Sequence, residues 1–134
     1  MYKLGLIFFT AVLLIQCQSN DKENGNKGSL VVDNEQVNHL VKGNDYFISG
    51  DREMALKHYM EAIKEDSLNA IVYSNIGEVY ESIEDYDRAA IYFNISLRMD
   101  SMNPLTYSNR AELKEILHDY DGAMNDLNRA INFS

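Results

Sequence analysis

Hydrophobic and small side chains along residues 33–134 recur at an interval of 34 residues. Two columns of this comparison hold bulky apolar residues: Tyr59, Phe93 and Leu127 in one, and Ile63, Leu97 and Ile131 in the other. Two further columns hold only small residues: Gly43, Gly77 and Ala111, and Ala55, Ala89 and Ala123. Matches spread over a whole period predict copies of one structural unit. The units fall at about 36–69, 70–103 and 104–134.

Polar residues at fixed places divide each unit into two helices. Aspartates recur at 51, 85 and 119, and asparagines recur at 69 and 103. A side-chain oxygen at such a position accepts the free backbone N–H groups of a first helical turn. Pro104 suits the first helical position, and Gly50 suits a left-handed stop between paired helices. The pattern predicts an all-α fold with helices at about 34–49, 52–66, 70–83, 86–99, 104–117 and 120–133.

The N-terminal residues follow a different pattern. Residues 4–15 form an uncharged, mostly apolar run. A helix of this length reaches only ~18 Å, against roughly 30 Å for a bilayer core, so the run has the size of a signal-peptide apolar region. It ends at Cys17 and resembles the lipoprotein signal of bacteria, in which the cysteine becomes the first mature residue and carries the lipid.

This resemblance gives three expectations for the N-terminus. Residues 1–16 would be a signal peptide, Cys17 would carry a lipid, and residues 17–32, which are polar from 18 to 29, would form a flexible linker to a repeat domain at 33–134. The protein would then be a membrane-anchored lipoprotein of the bacterial cell envelope. An ordinary secretory signal or an uncleaved anchor is the alternative, and the first of these would make the protein secreted.

The second unit carries the side chains of a known repeat at Tyr73, Ile76, Gly77, Tyr80, Ala89 and Phe93. It resembles the tetratricopeptide repeat, which has an aromatic residue, Leu-Gly, Tyr, Ala and Phe over 34 residues. The other units depart from this pattern, with His39 and Lys42 in the first and Arg110 and Lys114 in the third. The resemblance implies an all-α superhelix, or solenoid, of three antiparallel helix pairs. It also implies a non-catalytic scaffold for protein–protein interaction.

Resemblance to this family further implies that the first helix of each pair lines a concave groove. We expect three asparagines there to bond the backbone of an extended partner segment, and Glu78 and Glu112 to favour basic groups. The alternative is that the glutamates only form a solvated helix face. The predicted partner groove comprises Leu40, Asn44, Phe47, Ser74, Asn75, Glu78, Glu81, Ser108, Asn109, Glu112 and Glu115.

One subclass of the family binds the acidic C-terminal tails of chaperones through a clamp of Lys, Asn, Asn, Lys and Arg. The matching residues of this chain are Leu40, Asn44, Asn75, Leu105 and Asn109. Both asparagines are kept, but the three cations are missing. The sequence therefore argues against capture of an acidic tail.

Charge and composition narrow the function further. The formal net charge is -9, which disfavours nucleic acid because phosphate neutralisation needs clustered Lys and Arg. A protein or peptide partner fits better, and the negative charge favours a basic one. The three histidines fall at unrelated places in the repeat, and no cysteine lies beside them to complete a zinc site. We therefore expect no metal, no cofactor and no catalytic activity.

The end of the array allows two interpretations. Asn125, Asp126 and Arg129 replace apolar or aromatic residues of the second unit, which predicts that the third unit forms its own polar cap. Alternatively, the apolar residues there are covered by a second copy or another protein, which would make the chain a self-associating structural component of an envelope assembly. These apolar residues are Leu127, Ile131 and Phe133.

Overall fold

The computed structural model describes residues 34–134, and all six regular elements in that range are α-helices. None of these helices is both long and apolar enough to span a membrane. The helices are α1 (Asn34–Ser49), α2 (Arg52–Glu65), α3 (Ala70–Ser82), α4 (Tyr86–Met99), α5 (Pro104–Ile116) and α6 (Tyr120–Phe133). The predicted boundaries are confirmed to within one residue. The predicted signal peptide at 1–16, the lipid-bearing Cys17 and the linker at 17–32 lie outside the described residues.

Side-chain caps begin five of the helices. Asp51, Asp85 and Asp119 each accept a backbone N–H from three residues further along, at 3.0, 3.1 and 3.0 Å. Asn69 accepts from the backbone N–H of residues 71 and 72, and Asn103 accepts from that of residue 106. These are the residues that the sequence pattern placed at helix starts, and Pro104 holds the first turn of α5.

Glycine allows the two helices of a pair to approach each other. A methyl group on Gly77 would lie 2.6 Å from Cε1 of Phe93, and one on Gly43 would overlap the ring of Tyr59 in the same way. Phe93 and Tyr59 are almost completely buried, so the rings take the space that a larger residue would need. The two glycines of this column therefore mark places where an aromatic ring of the second helix packs against the first helix.

The helix pairs stack in chain order. Each helix packs against the next one, and the first helices of consecutive pairs, α1 with α3 and α3 with α5, also touch. At the junction of α4 and α5, the hydroxyl groups of Ser96 and Thr106 lie 3.2 Å apart and both side chains are buried. This architecture is an all-α superhelix of helical repeats, as predicted, and it places α1, α3 and α5 side by side.

The turn within each pair has the same geometry in all three repeats. Gly50, Glu84 and His118 occupy one repeat column and all have a positive φ, of 90°, 63° and 63°. In each turn the capping aspartate donates its backbone N–H to a carbonyl five residues earlier, at 2.8–2.9 Å. The prediction of a left-handed stop at Gly50 is confirmed. The structure adds that two residues with side chains adopt the same left-handed conformation.

The expected polar cap at the end of the array is wrong for Asp126. Its side chain is 3% exposed and lies between α5 and α6, where Arg110 and Lys114 contact it. Burial tends to raise the pKa of Asp126, but the hydrogen bonds from Arg110 and Lys114 outweigh burial and hold the pKa below its usual value. Only Asn125 and Arg129 of the predicted cap are exposed.

Candidate functional site

Two hydrogen bonds join the first helices of consecutive repeats. Asn75 on α3 donates from Nδ2 to Oδ1 of Asn44 on α1, at 2.9 Å. Asn109 on α5 donates from Nδ2 to Oε1 of Glu78 on α3, at 2.5 Å. Both pairs are separated by 31 residues in the chain. Four of the predicted groove residues thus form a ladder across α1, α3 and α5.

A buried tyrosine on the second helix of the pair holds the side-chain amide of Asn44 in place. The hydroxyl of Tyr59 on α2 donates to Oδ1 of Asn44 at 2.7 Å. Burial raises the pKa of Tyr59 to about 12, so the hydroxyl keeps its proton and acts as a donor at neutral pH. Each asparagine of the ladder retains hydrogen-bonding capacity that these contacts do not use. Asn44 keeps its NH₂ group, and Asn75 and Asn109 keep their carbonyl oxygens.

Three glutamates concentrate negative charge beside this ladder. Burial, and secondarily the charges of Glu112 and Glu78, raises the pKa of Glu81 to about 7. Burial also raises the pKa of Glu78; the hydrogen bond from Asn109 acts against this shift, and the charge of Glu112 adds to it. No Lys or Arg in the described part of the chain forms an ion pair with any of the three. The three carboxylates are therefore not neutralised by a salt bridge within the described residues.

The remaining predicted groove residues differ in how accessible they are. Leu40 and Phe47 are half-buried against the core, and the guanidinium group of Arg52 lies 4.4 Å from the centre of the Phe47 ring. Ser74 departs from the expectation, because it is buried and its Oγ has no hydrogen-bond partner among the described residues. Ser108 is half-buried and donates to the carbonyl of Pro104, at 3.1 Å. Glu115, like Glu112, is exposed.

Helices α1, α3 and α5 also carry exposed apolar side chains. Ile71 and Leu105 share one repeat column near the starts of α3 and α5 and are 52% and 61% exposed. Leu105 stands where the family members that bind acidic chaperone tails have a lysine of their clamp. Ile48 at the end of α1 is 83% exposed. The surface thus offers carboxylates and amides in its middle and apolar contacts near the helix ends.

His39 and His58 fall at different places in the repeat, as expected, but the fold brings their rings together. Nδ1 of His39 and Nδ1 of His58 lie 3.0 Å apart, and Nε2 of His39 lies 3.7 Å from Glu65. Burial and the neighbouring His39 lower the pKa of His58. The repeat alignment could have predicted this contact. His39 and His58 share columns with Tyr73 and Tyr92, whose rings stack with their centres 6.4 Å apart. Residues 34–134 nevertheless contain no group of three or more side chains placed to hold a metal ion.

Two family models match overlapping parts of the repeat array. Residues 43–83 match the family described as "TPR repeat", and residues 70–101 match the one described as "Tetratricopeptide repeat". Among curated proteins, the chain is similar to stress-induced-phosphoprotein 1 of Caenorhabditis elegans, with 46% identity over 48 residues. The match covers 36% of this chain and only 15% of that protein.

Solved structures with similar folds include repeat domains in complex with peptides. One is the second TPR of Spaghetti (RPAP3) bound to the HSP90 peptide SRMEEVD, with a TM-score of 0.69 and 21% identity over 75% of this chain and 93% of that one. Another is the TPR2B domain in the pHsp70 complex of yeast Sti1, with a TM-score of 0.70 and 23% identity over 74% of this chain and 79% of that one. At these identities the likeness shows the fold alone.

Proposed function

Because residues 43–101 carry tetratricopeptide repeats, we propose that this chain is a non-catalytic scaffold that holds an extended, basic segment of another protein. The segment lies along α1, α3 and α5. The amides of Asn44, Asn75 and Asn109 bond its backbone through the donors and acceptors that the ladder leaves unused. Glu78, Glu81 and Glu112 attract its lysine or arginine side chains. The observation that carries the proposal is the cluster of two partly buried glutamates, Glu78 and Glu81, and the exposed Glu112, none of which forms an ion pair with a Lys or Arg of the described residues.

Similarity to peptide-bound repeat domains supports a peptide as the ligand, and the charge of the groove favours a basic peptide over an acidic one. The HSP90 peptide of the Spaghetti complex has three acidic residues and one arginine. In this chain, a leucine or an asparagine stands at each clamp position that would require a cation, and the neighbouring carboxylates would repel an acidic tail. The same electrostatic argument favours a lysine- or arginine-bearing segment, because a cation would relieve the repulsion among the glutamates.

The test compares capture of a lysine-rich peptide by two variants of equal charge. A groove variant neutralises three glutamates, and a control variant neutralises three exposed acids on the second helices. We expect the groove variant to bind at least tenfold more weakly and the control to bind like the wild type. Equal weakening of both would show that only net charge matters and would contradict the groove assignment. The groove variant is Glu78→Gln, Glu81→Gln and Glu112→Gln; the control is Glu53→Gln, Asp87→Asn and Asp121→Asn.

Self-association is a second candidate, favoured by an exposed apolar side chain on α6. Leu97 on α4 is 7% exposed because α5 covers it, whereas Ile131, in the same repeat column on α6, is 72% exposed. A second copy packing there would bury this side chain and its neighbours. Sedimentation of a fragment of residues 29–134 distinguishes the two candidates. A monomer at all concentrations favours recognition of a different protein, and a concentration-dependent dimer that Ile131→Lys abolishes favours assembly.

We further propose that the scaffold works at the bacterial cell envelope, tethered through a lipid on Cys17. The support is the resemblance of residues 1–17 to a lipoprotein signal and the polar composition of residues 18–29. Intact-mass analysis of the protein from a bacterial membrane fraction tests this proposal. A mass that begins at residue 17 and includes a lipid, and that Cys17→Ser abolishes, is expected. An unmodified chain beginning elsewhere would contradict it without affecting the groove proposal.

A further inference from the structure

A pocket with a volume of about 680 Å³ lies among α4, α5 and α6. Four cationic side chains and one carboxylate line it: Arg98, Arg110, Lys114, Arg129 and Asp126. The whole chain has 12 Lys and Arg against 21 Asp and Glu, so a third of its cations meet at this one place. The local charge is therefore opposite in sign to that of the protein.

The carboxylate of this pocket is already fully engaged. Arg110 donates from Nε to Oδ2 of Asp126 at 2.8 Å and from Nη2 to Oδ1 at 2.7 Å. Nζ of Lys114 lies 2.8 Å from Oδ2 of the same carboxylate. Within residues 34–134, Arg98 and Arg129 have no acidic partner within 4 Å. One negative charge thus faces four positive charges, and two of the guanidinium groups remain open to a ligand.

An aromatic ring positions part of this cationic set. The guanidinium groups of Arg110 and Arg129 lie 5.6 and 5.7 Å from the centre of the Tyr107 ring. Arg129 also donates to the hydroxyl of Tyr107, at 3.4 Å. Contacts of this kind hold a guanidinium over a ring and leave its outer N–H groups free. The arginine fork is thus partly ordered before any ligand arrives.

Comparison between repeats shows that packing does not require these charges. The columns of Lys114 and Asp126 hold Tyr80 and Tyr92 in the second repeat, and those two rings stack at 5.4 Å. Buried ion pairs are seldom more stabilising than well-packed apolar residues of similar volume. The third repeat therefore replaces an aromatic pair with a charged cluster that brings no clear gain in stability. Such a replacement is expected where a charged ligand binds to these side chains.

The pocket is separate from the groove. On α5 the pocket uses Tyr107, Arg110 and Lys114, whereas the groove uses Asn109 and Glu112. Residues two positions apart on an α-helix point about 200° away from each other. Tyr107, Arg110 and Lys114 therefore point to a different side of α5 from Asn109 and Glu112.

We infer that this pocket binds an oxyanion, either a carboxylate or a phosphate group. Arg98 and Arg129 present planar forks that match such a group through paired N–H···O bonds. Arg110, fixed by Asp126, and Lys114 add positive charge beside them. Leu97 and Ile91 supply apolar wall for the part of the ligand that carries the anion. This inference does not depend on what the groove binds.

Arginine side-chain NMR tests the inference on the full chain in a nonionic detergent. The Nε–Hε resonances are followed at constant pH and ionic strength while sodium chloride is exchanged for sodium phosphate or sodium acetate. We expect saturable shifts at Arg98 and Arg129. Saturation with phosphate alone assigns a phosphate ligand, and saturation with acetate assigns a carboxylate. Arg52 and Arg88 lie outside the pocket and serve as controls within the same spectrum.

A variant experiment completes the test. The double substitution Arg98→Gln and Arg129→Gln removes both open forks and leaves the Arg110–Asp126 pair in place. We expect it to weaken the anion affinity at least tenfold, while Arg88→Gln leaves the affinity unchanged. Equal, non-saturating shifts of all five arginines would overturn the inference. A double variant that still folds and binds like the wild type would also overturn it.

Discussion

At the scale of single residues, Gly77 shows two effects of opposite sign. In a helix interior, replacing glycine with alanine favours folding by about 1 kcal/mol through backbone propensity. At Gly77, however, the added methyl group would meet the buried ring of Phe93 at 2.6 Å. Because Phe93 is fully buried, the ring has little room to move. We therefore expect the overpacking caused by the methyl group to outweigh the gain in helix propensity.

We predict that Gly77→Ala lowers the free energy of unfolding by about 1–3 kcal/mol, through overpacking. Chemical denaturation of the wild type and the variant measures the change. The double variant Gly77→Ala and Phe93→Leu tests the cause, since a smaller side chain at 93 makes room for the methyl group. The double variant should lose less stability than the two single losses combined. Simple additivity would mean that the ring is not the obstacle.

Glu81 links the stability of the fold to pH. Its pKa of about 7 in the folded protein exceeds the ordinary value of 4.5, chiefly because of burial. Between these values the folded state keeps a proton that the unfolded chain releases. The stabilising contribution is therefore fully present below pH 4.5 and is lost as pH rises through about 7. Glu78 shifts in the same direction, whereas the lowered pKa of His58 acts in the opposite sense.

Glu81→Gln isolates this contribution, because glutamine has a similar shape and does not titrate. We predict that the free energy of unfolding of the wild type falls, relative to that of the variant, by about 1–3 kcal/mol between pH 5 and pH 8. Thermal or urea unfolding at several pH values gives both curves. Parallel curves would show that Glu81 titrates normally in the folded state.

At the scale of the helical elements, the three turns form a natural series. Gly50, Glu84 and His118 adopt positive φ in equivalent places. The left-handed region favours glycine, because a Cβ there crowds the backbone. The second and third turns therefore carry a conformational strain that the first turn avoids. Since the first turn has glycine at this place, glycine at residue 84 or 118 should relieve the strain.

We predict that Glu84→Gly is more stable than Glu84→Ala by about 1 kcal/mol. Both changes remove the same exposed carboxylate, so their difference reports the backbone alone. Gly50→Ala should lose a similar amount, although no atom lies within 4 Å of the added methyl group. Urea unfolding of the three variants measures these differences. Equal stability of the two variants at 84 would show that the turn carries no strain.

The helices themselves could be predicted from the sequence because their determinants are local. Capping aspartates and asparagines, one proline and the columns of small residues fix where a helix starts and where it meets its partner. Position in the repeat also predicted that the asparagines and glutamates of α1, α3 and α5 lie close together, as the bonds of Asn75 to Asn44 and of Asn109 to Glu78 show. The burial of Ser74 was not predictable from residue type, since a serine is small enough to lie on either side of a helix.

Contacts between polar columns were harder to predict. His39 with His58 and Lys114 with Asp126 fill columns that hold tyrosines in the second repeat. Each change looks like an isolated loss of an apolar residue when the columns are considered one at a time. Only the pairing of columns across the two helices reveals complementary partners. In these two cases a polar residue in an otherwise aromatic column takes part in a contact between two helices, and it does not mark an exposed cap.

At the scale of the whole molecule, the charge distribution sets how partner binding depends on pH. The groove concentrates carboxylates with raised pKa, and a different side of α5 concentrates cations. A basic peptide in the groove would stabilise the ionised form of Glu81 and so lower its pKa. Binding near pH 6.5 must then release protons, and binding well above pH 7 must not.

We predict that the affinity for a lysine-rich peptide rises between pH 6 and pH 8 and that up to about one proton per complex is released at pH 6.5. Isothermal titration in two buffers with different ionisation enthalpies measures the released protons. Glu81→Gln should bind more weakly at pH 8 and release fewer protons at pH 6.5, whereas Glu53→Gln should behave like the wild type. Binding without proton release would place the peptide away from Glu81, and equal proton release by the Glu81 variant would assign the coupling to another group. Either result would require a different path for the peptide across α1, α3 and α5.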